Sequence, residues 1–301
     1  MKTILITGGT GLIGSKLSSL LISKGYQVRH LSRNPVSNEL IKAYYWDLNK
    51  NTIDQQAFEG VDAIIHLAGA GIADEKWTSK RKKEIVNSRV ASTQLLFDYV
   101  SKIQKPIQTF IAASATGIYP NSPTKLFNEK AHAATGFLGD CCKLWEDKIN
   151  LFESIGIRTV KLRTGIVLAK TGGALPKMAN PIKYGVGSAI GNGQQWMSWI
   201  DEDDLVNMYV YALENNSLNG AYNAVSPEPC SNEAFTKTLA KTLHRCILLP
   251  KVPSFFIKIL LGEMSIIVLG STKVSAEKIV AAGFEFKFEN LAKSLYKIYH
   301  E

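Results

Sequence analysis

A chain of 301 residues, 46% of them apolar, can hold one large α/β unit or two domains, and it is too apolar for wholesale disorder. Its 35 Lys and Arg against 26 Asp and Glu give a formal net charge of +9. Those cations are scattered, and the single basic run, Lys80 to Lys83, meets Glu84 at once, so a solvated helix face is expected there and no nucleic acid partner.

In chain order, Lys2 to Thr7 reads as a buried strand running into glycines. The opening from Met1 is too short and too glycine-rich for an export signal. Leu12 to Ser23 has helical spacing, with Gly25 where a helix stops. Strands are predicted at Tyr26 to Leu31, Tyr44 to Trp46, Ala63 to Leu67, Ile107 to Ala113 and Ile157 to Leu162, and helices at Lys80 to Lys102 and Leu138 to Ser154. This alternation predicts an α/β fold with a doubly wound parallel sheet, Rossmann-like, over residues 1–168. Residues 172–196 are rich in Gly and Pro and lack a period. Beyond them come short strands at Ser198 to Ile200 and Ala221 to Ala224, so parts of 198–224 are expected to complete the sheet. Helices are predicted at Asp201 to Leu213, Asn232 to Leu243, Phe255 to Leu261, Ala276 to Ala282 and Leu291 to Tyr299. Residues 169–301 are therefore expected to form a smaller, mostly helical region that covers a substrate.

No stretch approaches the ~20 continuous apolar residues of a membrane span. The greasiest, Phe255 to Gly270, is interrupted by Lys258 and Glu263, and no membrane partner is expected. The four cysteines, Cys141, Cys142, Cys230 and Cys246, form no CxxC pair, which argues against a disulfide framework and a zinc site. A reduced, cytoplasmic protein is the expectation, monomeric or homodimeric.

The strongest motif is Thr7-Gly8-Gly9-Thr10-Gly11-Leu12-Ile13-Gly14, between the first strand and the first helix. Gly8 permits a tight turn, Gly11 lets backbone amides approach a pyrophosphate, and Gly14 lets helix and strand pack closely. The helix start then meets the anion with free donors and the positive dipole end. NAD binders place an acid at the end of the second strand, but here that place reads His30-Leu31-Ser32-Arg33-Asn34. Ser32 and Arg33 offer a hydroxyl and a cationic fork to a ribose 2′-phosphate, so NADP(H) is the expected coenzyme, with a surface loop arginine as the alternative. Arg89 on the long helix is within reach of a phosphate, although an exposed helix arginine is the plain alternative. Asp201-Glu202-Asp203-Asp204 is read as a helix start, Asp201 as its N-cap, in preference to a metal site. Trp196, Met197 and Trp199 are candidates to line an apolar pocket, with Trp199 better read as core.

TGGTGLIG resembles the TGxxGxxG motif of the extended short-chain dehydrogenase/reductase superfamily. The resemblance implies that Asp47, followed by Leu48, contacts adenine, with a turn-forming Asp as the alternative. It also implies that the small-residue turn Leu67-Ala68-Gly69 lies along the adenine ribose and pyrophosphate. Arg163, in Arg163-Thr164-Gly165, matches the segment that passes the nicotinamide. That superfamily uses a Tyr-x-x-x-Lys pair, yet none of the eleven tyrosines has Lys four residues on. Alignment by the motif puts Leu138 and Cys142 in those places. Ser114 resembles the substrate-orienting serine, Tyr119 is a candidate substitute proton donor, and Cys142 is read as packing.

Leu67-Ala68-Gly69, Ser88-Arg89-Val90, Ser114-Ala115-Thr116-Gly117, Trp145-Glu146, Arg163 to Leu168, Gly172 to Leu175 and Leu261-Gly262-Glu263-Met264 together resemble an atypical branch. Its members are called epimerase family or cell-division-inhibitor-like proteins and carry a C-terminal domain of unknown function, here 250–298. The branch lacks the tyrosine–lysine pair. Two functions follow: an NADP(H)-dependent oxidoreductase or epimerase-like enzyme on an unknown small-molecule substrate, or an NADP(H)-sensing protein without turnover.

Overall fold

The computed structural model describes residues 2–103 and 107–301. Met1, the first residue of the predicted opening segment, and residues 104–106 of the predicted first domain lie outside the described residues. The chain runs β1 (Thr3–Thr7), α1 (Leu12–Ser23), β2 (Gln27–Ser32), β3 (Ile41–Asp47), β4 (Thr52–Ile53), β5 (Ala63–His66), α2 (Ser79–Val100) and β6 (Thr109–Ala115). It continues with β7 (Leu126–Phe127), α3 (Phe137–Ser154), β8 (Arg158–Thr164), β9 (Ile166–Leu168), α4 (Leu175–Lys183), β10 (Trp196–Met197) and β11 (Trp199–Asp201). Then follow α5 (Glu202–Glu214), β12 (Gly220–Ala224), β13 (Cys230–Ser231), α6 (Asn232–Thr242), α7 (Ser254–Leu261), α8 (Ile266–Leu269), β14 (Lys273–Val274), α9 (Glu277–Ala281) and α10 (Leu291–His300).

Eight strands form the central sheet in the order β12-β8-β6-β5-β1-β2-β3-β4, parallel except for the edge pair β3–β4. From β1 the chain winds outward through β2 and β3 on one side and through β5, β6 and β8 on the other. The switch point therefore lies at the carboxyl end of β1, where ligands of such sheets sit. Side-chain alternation divides the core between the two faces. Ile4 and Ile6 pack with Leu17, Leu21 and Tyr209, on the side of α1 and α5. Leu5 packs with Leu95, Leu96 and Phe152, on the side of α2 and α3. Burial on both faces explains why β1 and β5 read as unbroken apolar runs.

Several predicted bounds shift. β3 begins at Ile41, because Ile41 to Ala43 pair with Val28 to His30 near the sheet edge, where polar residues obscure the pattern. β11 joins β9 outside the central sheet, and β12 alone of 198–224 becomes its eighth strand. The aperiodic stretch contains α4, whose apolar stripe of Leu175, Ala179 and Ile182 was masked by Pro176 at the helix start and Pro181 within it. A third cluster, including Leu168, Leu175, Trp199, Phe235 and Leu295, joins β9, β11, α4, α6 and α10 into a core separate from the two faces of the central sheet.

Trp199 and Met197 are buried in that cluster, and the Trp199 indole donates to the Glu228 carbonyl (2.9 Å). Trp196 donates to the Pro123 carbonyl under the Lys273 ammonium. These contacts hold segments together, and Met197 and Trp199 belong to the core while Trp196 is half-buried. The acids of α5 also have protein partners. Asp201 caps the helix and meets Lys297, and the Asp204 carboxylate accepts the Lys287 and Phe288 amides. No helix of the described residues is long and apolar enough to cross a membrane.

Candidate functional site

The turn after β1 is built by glycines for steric reasons. Gly8 has φ +69°, and a Cβ there would come within 3.0 Å of the Leu67–Ala68 backbone. A Cβ on Gly14 would collide with the Gly8 carbonyl, so the close crossing of α1 over β1 admits only glycine. Gly11 is the N-cap and supplies no side chain, and the first turn of α1 holds no acid. The amides that open α1, near Thr10, Leu12 and Ile13, are thus left for an anion. The Gly172–Gly173 loop passes beside Leu12.

Beneath the turn lies His30, buried against Gly9. Ser18 spends its proton on the Gly14 carbonyl (2.7 Å), so His30 Nε2 donates to Ser18 Oγ (2.8 Å). Past the end of β2, Ser32 Oγ closes a local turn with Asn34, accepting its amide. Arg33 is exposed and has no hydrogen-bond or ion-pair partner among the described residues. Asp47 accepts the Asn49 amide (2.8 Å) and the Tyr45 hydroxyl (3.0 Å), and these bonds hold its carboxyl below the usual range. The turn-forming reading of Asp47 is thereby met, and Leu48 packs on the adjacent core.

At the end of β5, Ala68 N donates to Thr7 Oγ1, which donates to His66 Nδ1 (2.6 Å). Ser92 and Thr93 give their protons to helix carbonyls, so His66 Nε2 must donate to them. This wiring suits a neutral imidazole. Burial, aided by the Arg89 charge, pushes His66 down to about 3. An unfolded chain takes up that proton below its ordinary value of about 6.5, whereas the folded one resists it until near 3. Stability is therefore lost as pH falls across that window. We expect urea unfolding to show a loss of about 2 kcal/mol from this group between pH 7 and pH 5, and His66→Gln to flatten that slope. An unchanged slope in the variant would contradict the wiring.

Arg89 lies beside the Leu67-Ala68-Gly69 turn, over the Trp145 ring, donating to the Ile85 carbonyl (3.0 Å). A Cβ on Gly69 would come within 3.3 Å of its guanidinium carbon. Burial works against its charge, and no carboxylate pairs with it among the described residues. The exposed-helix alternative does not hold: Arg89 is half-buried, and its charge lacks a protein counterion.

Ser114, Arg163 and Asn223 stand in register across the carboxyl ends of β6, β8 and β12. Glu146 of α3 completes a buried network with them. Arg163 grips both Glu146 oxygens (2.8 Å each), and Ser114 Oγ donates to Oε1 (2.6 Å). Arg163 also donates to the Tyr119 hydroxyl (3.0 Å), which in turn donates to Asn223 Oδ1 (2.5 Å). Burial opposes the Arg163 charge, but Glu146 outweighs it. Burial pushes Tyr119 up to about 12 despite the adjacent guanidinium. Arg163 and Tyr119 are thus committed to protein partners, unlike the roles expected of them at the nicotinamide and as proton donor. Leu138 Cβ and Cys142 Sγ pack against Gly117, and burial pushes the Cys142 thiol up to about 12, so no thiolate forms near neutral pH. Glu146 and Asn223 carried no assigned role in the sequence reading. The available signal was the position of Glu146 one helical face with Gly139 and Cys142, where a buried acid requires a cation.

A doubly wound sheet with a glycine turn at its switch point, followed by a helical carboxyl-terminal region, defines a Rossmann-type nucleotide-binding protein of the short-chain dehydrogenase kind. The chain belongs to the NAD dependent epimerase/dehydratase family, whose model matches residues 4–224. Residues 252–298 match DUF1731, a domain of unknown function. The chain is 37% identical over 298 residues to the epimerase family protein YfhF of Bacillus subtilis, covering 98% of this chain and 97% of that one. Human epimerase family protein SDR39U1, crystallised with NADPH, is similar with a TM-score of 0.87 and 29% identity, covering 98% of both chains. A nucleoside-diphosphate sugar epimerase from Corynebacterium glutamicum has a TM-score of 0.79 and 26% identity, covering 99% of this chain and 58% of that one.

Proposed function

We propose that the chain binds NADP(H) along the carboxyl ends of β1, β2 and β5 and acts as an oxidoreductase or epimerase-like protein on a small molecule. The observation that carries this reading is the pair of guanidiniums flanking the glycine turn, Arg33 and Arg89, neither neutralised by an acid among the described residues. Arg33 meets the ribose 2′-phosphate and Arg89 the pyrophosphate, which also receives the amides opening α1. Ser32, Asp47 and Leu48 border the adenosine half, and Leu67, Ala68 and Gly69 pass beside its ribose. The NADPH of the human relative supports the same coenzyme here. Residues 1–168 with β12 form the coenzyme unit, and the remainder covers the substrate.

The bound coenzyme supplies hydride exchange at its nicotinamide ring. Ser114 faces that region as a hydrogen-bond acceptor, because its proton is given to Glu146. It therefore orients a donor, such as a substrate hydroxyl, and cannot protonate a carbonyl while Glu146 holds its proton. That same observation favours a second reading, an NADP(H)-sensing protein without turnover.

Titration with NADPH and NADH, followed by incubation of the NADPH-loaded protein with carbonyl compounds and nucleotide sugars, tests both readings. Tighter NADPH binding with oxidation that Ser114→Ala abolishes is expected of the enzyme. Tight binding with no oxidation of any compound assigns the sensor. Tighter NADH binding refutes the coenzyme assignment.

A further inference from the structure

We propose that a second cleft, formed between Asn121, the 191–195 loop and the α7–α8 segment, binds an amphipathic monoanion: one carboxylate head on an apolar body. Its volume of about 470 Å³ suits a small molecule. As a statement about substrate class it rests on the coenzyme reading above; as a statement about binding it stands alone.

The polar inventory of the cleft is rich in donors. Lys258 is the one cation among the lining residues and has no acid partner among the described residues. Ser254 lies one turn earlier on the same face of α7, since residues four apart in a helix are neighbours. Asn121 uses its oxygen to accept the Ser271 amide (2.7 Å), which leaves its amide hydrogens for a ligand. Gln195 is buried and its nitrogen donates to the Ile190 and Val268 carbonyls (3.1 Å each), which leaves its oxygen as an acceptor. One ammonium with neutral donors around it balances a single negative charge. A nucleoside diphosphate would bring a second charge that no lining residue meets.

The apolar inventory explains the body of the ligand. Ile266 and Leu269 line the cleft. Beside Lys258 on α7, Phe255 and Ile259 are 65% and 66% exposed, and α7 has no buried residue at all. An apolar surface of this kind beside a cleft marks a binding edge. Here the charged head is fixed by Lys258, and the adjoining apolar residues of the same helix take the chain attached to it.

Calorimetric titration of the full chain tests this, using decanoate, decyl phosphate, decanol and UDP-glucose, each below its micelle concentration. We expect one equivalent of decanoate to bind, more tightly than decanol, and Lys258→Gln to weaken it tenfold or more, the loss expected for a charge-assisted hydrogen bond. Decyl phosphate brings a second charge that no lining cation meets, so it should bind more weakly than decanoate. Ile266→Ser should weaken the anion as well, and both substitutions lie at exposed positions. No saturable decanoate binding, decanol or decyl phosphate binding as tightly as decanoate, no effect of Lys258→Gln, or UDP-glucose binding more tightly than decanoate overturns the proposal. NADPH titrated in parallel should bind wild type and Lys258→Gln alike. Failure of NADPH to bind wild type removes the coenzyme reading and leaves the anion result standing.

Discussion

Glu146→Ala is expected to destabilise the fold by about 3–5 kcal/mol, the cost of leaving one member of a buried ion pair alone. The loss falls on Arg163, whose two donors to the carboxylate have no substitute acceptor, and then on Ser114, whose proton loses its partner. Tyr119 feels it indirectly, because the same guanidinium donates to its hydroxyl. Replacing both partners, Glu146→Leu with Arg163→Met, should recover most of that loss, since two matched charges are removed together. Urea unfolding of the three proteins at neutral pH measures this, with NADPH titration as the control for the glycine turn. A loss below about 1 kcal/mol in Glu146→Ala would show that water enters and solvates Arg163, and the network would no longer be a buried strut.

Arg33→Ala is expected to weaken NADPH about ten- to a hundredfold while leaving NADH nearly unchanged. Only the 2′-phosphate distinguishes the two ligands, and Arg33 is the cation placed past the end of β2 where an NAD binder has an acid. Because Arg33 is exposed, its contribution is screened by salt, so the preference for NADPH should shrink as ionic strength rises. Arg33→Asp should reverse the preference by adding repulsion. Equal NADPH affinity in wild type and Arg33→Ala would refute the assignment.

The parallel sheet, the glycine turn and the start and stop of α1 were legible because each is a local demand. An unbroken apolar run signals a strand covered on both faces, as in β1. Where tertiary context overrode the local pattern, the reading fell short. Two prolines hid α4, although its apolar stripe faces the core, and nothing in the local pattern marks the Trp196 indole as the donor to the distant Pro123 carbonyl. The segments of α7 and α8 read only as greasy; that they frame a cleft around Lys258 depends on where the 191–195 loop and Asn121 arrive.

The amino-acid order by itself determined the nucleotide-type turn and the lack of a tyrosine–lysine pair, because a positive φ at Gly8, a missing Cβ at Gly14 and the identity of a residue four places on are properties of neighbours in the chain. Only the tertiary structure decided that Ser114, Tyr119 and Arg163 turn toward one another and toward Glu146. Their meeting depends on strand register and on the rotation of α3, and burial there makes a charge choose a protein partner over water.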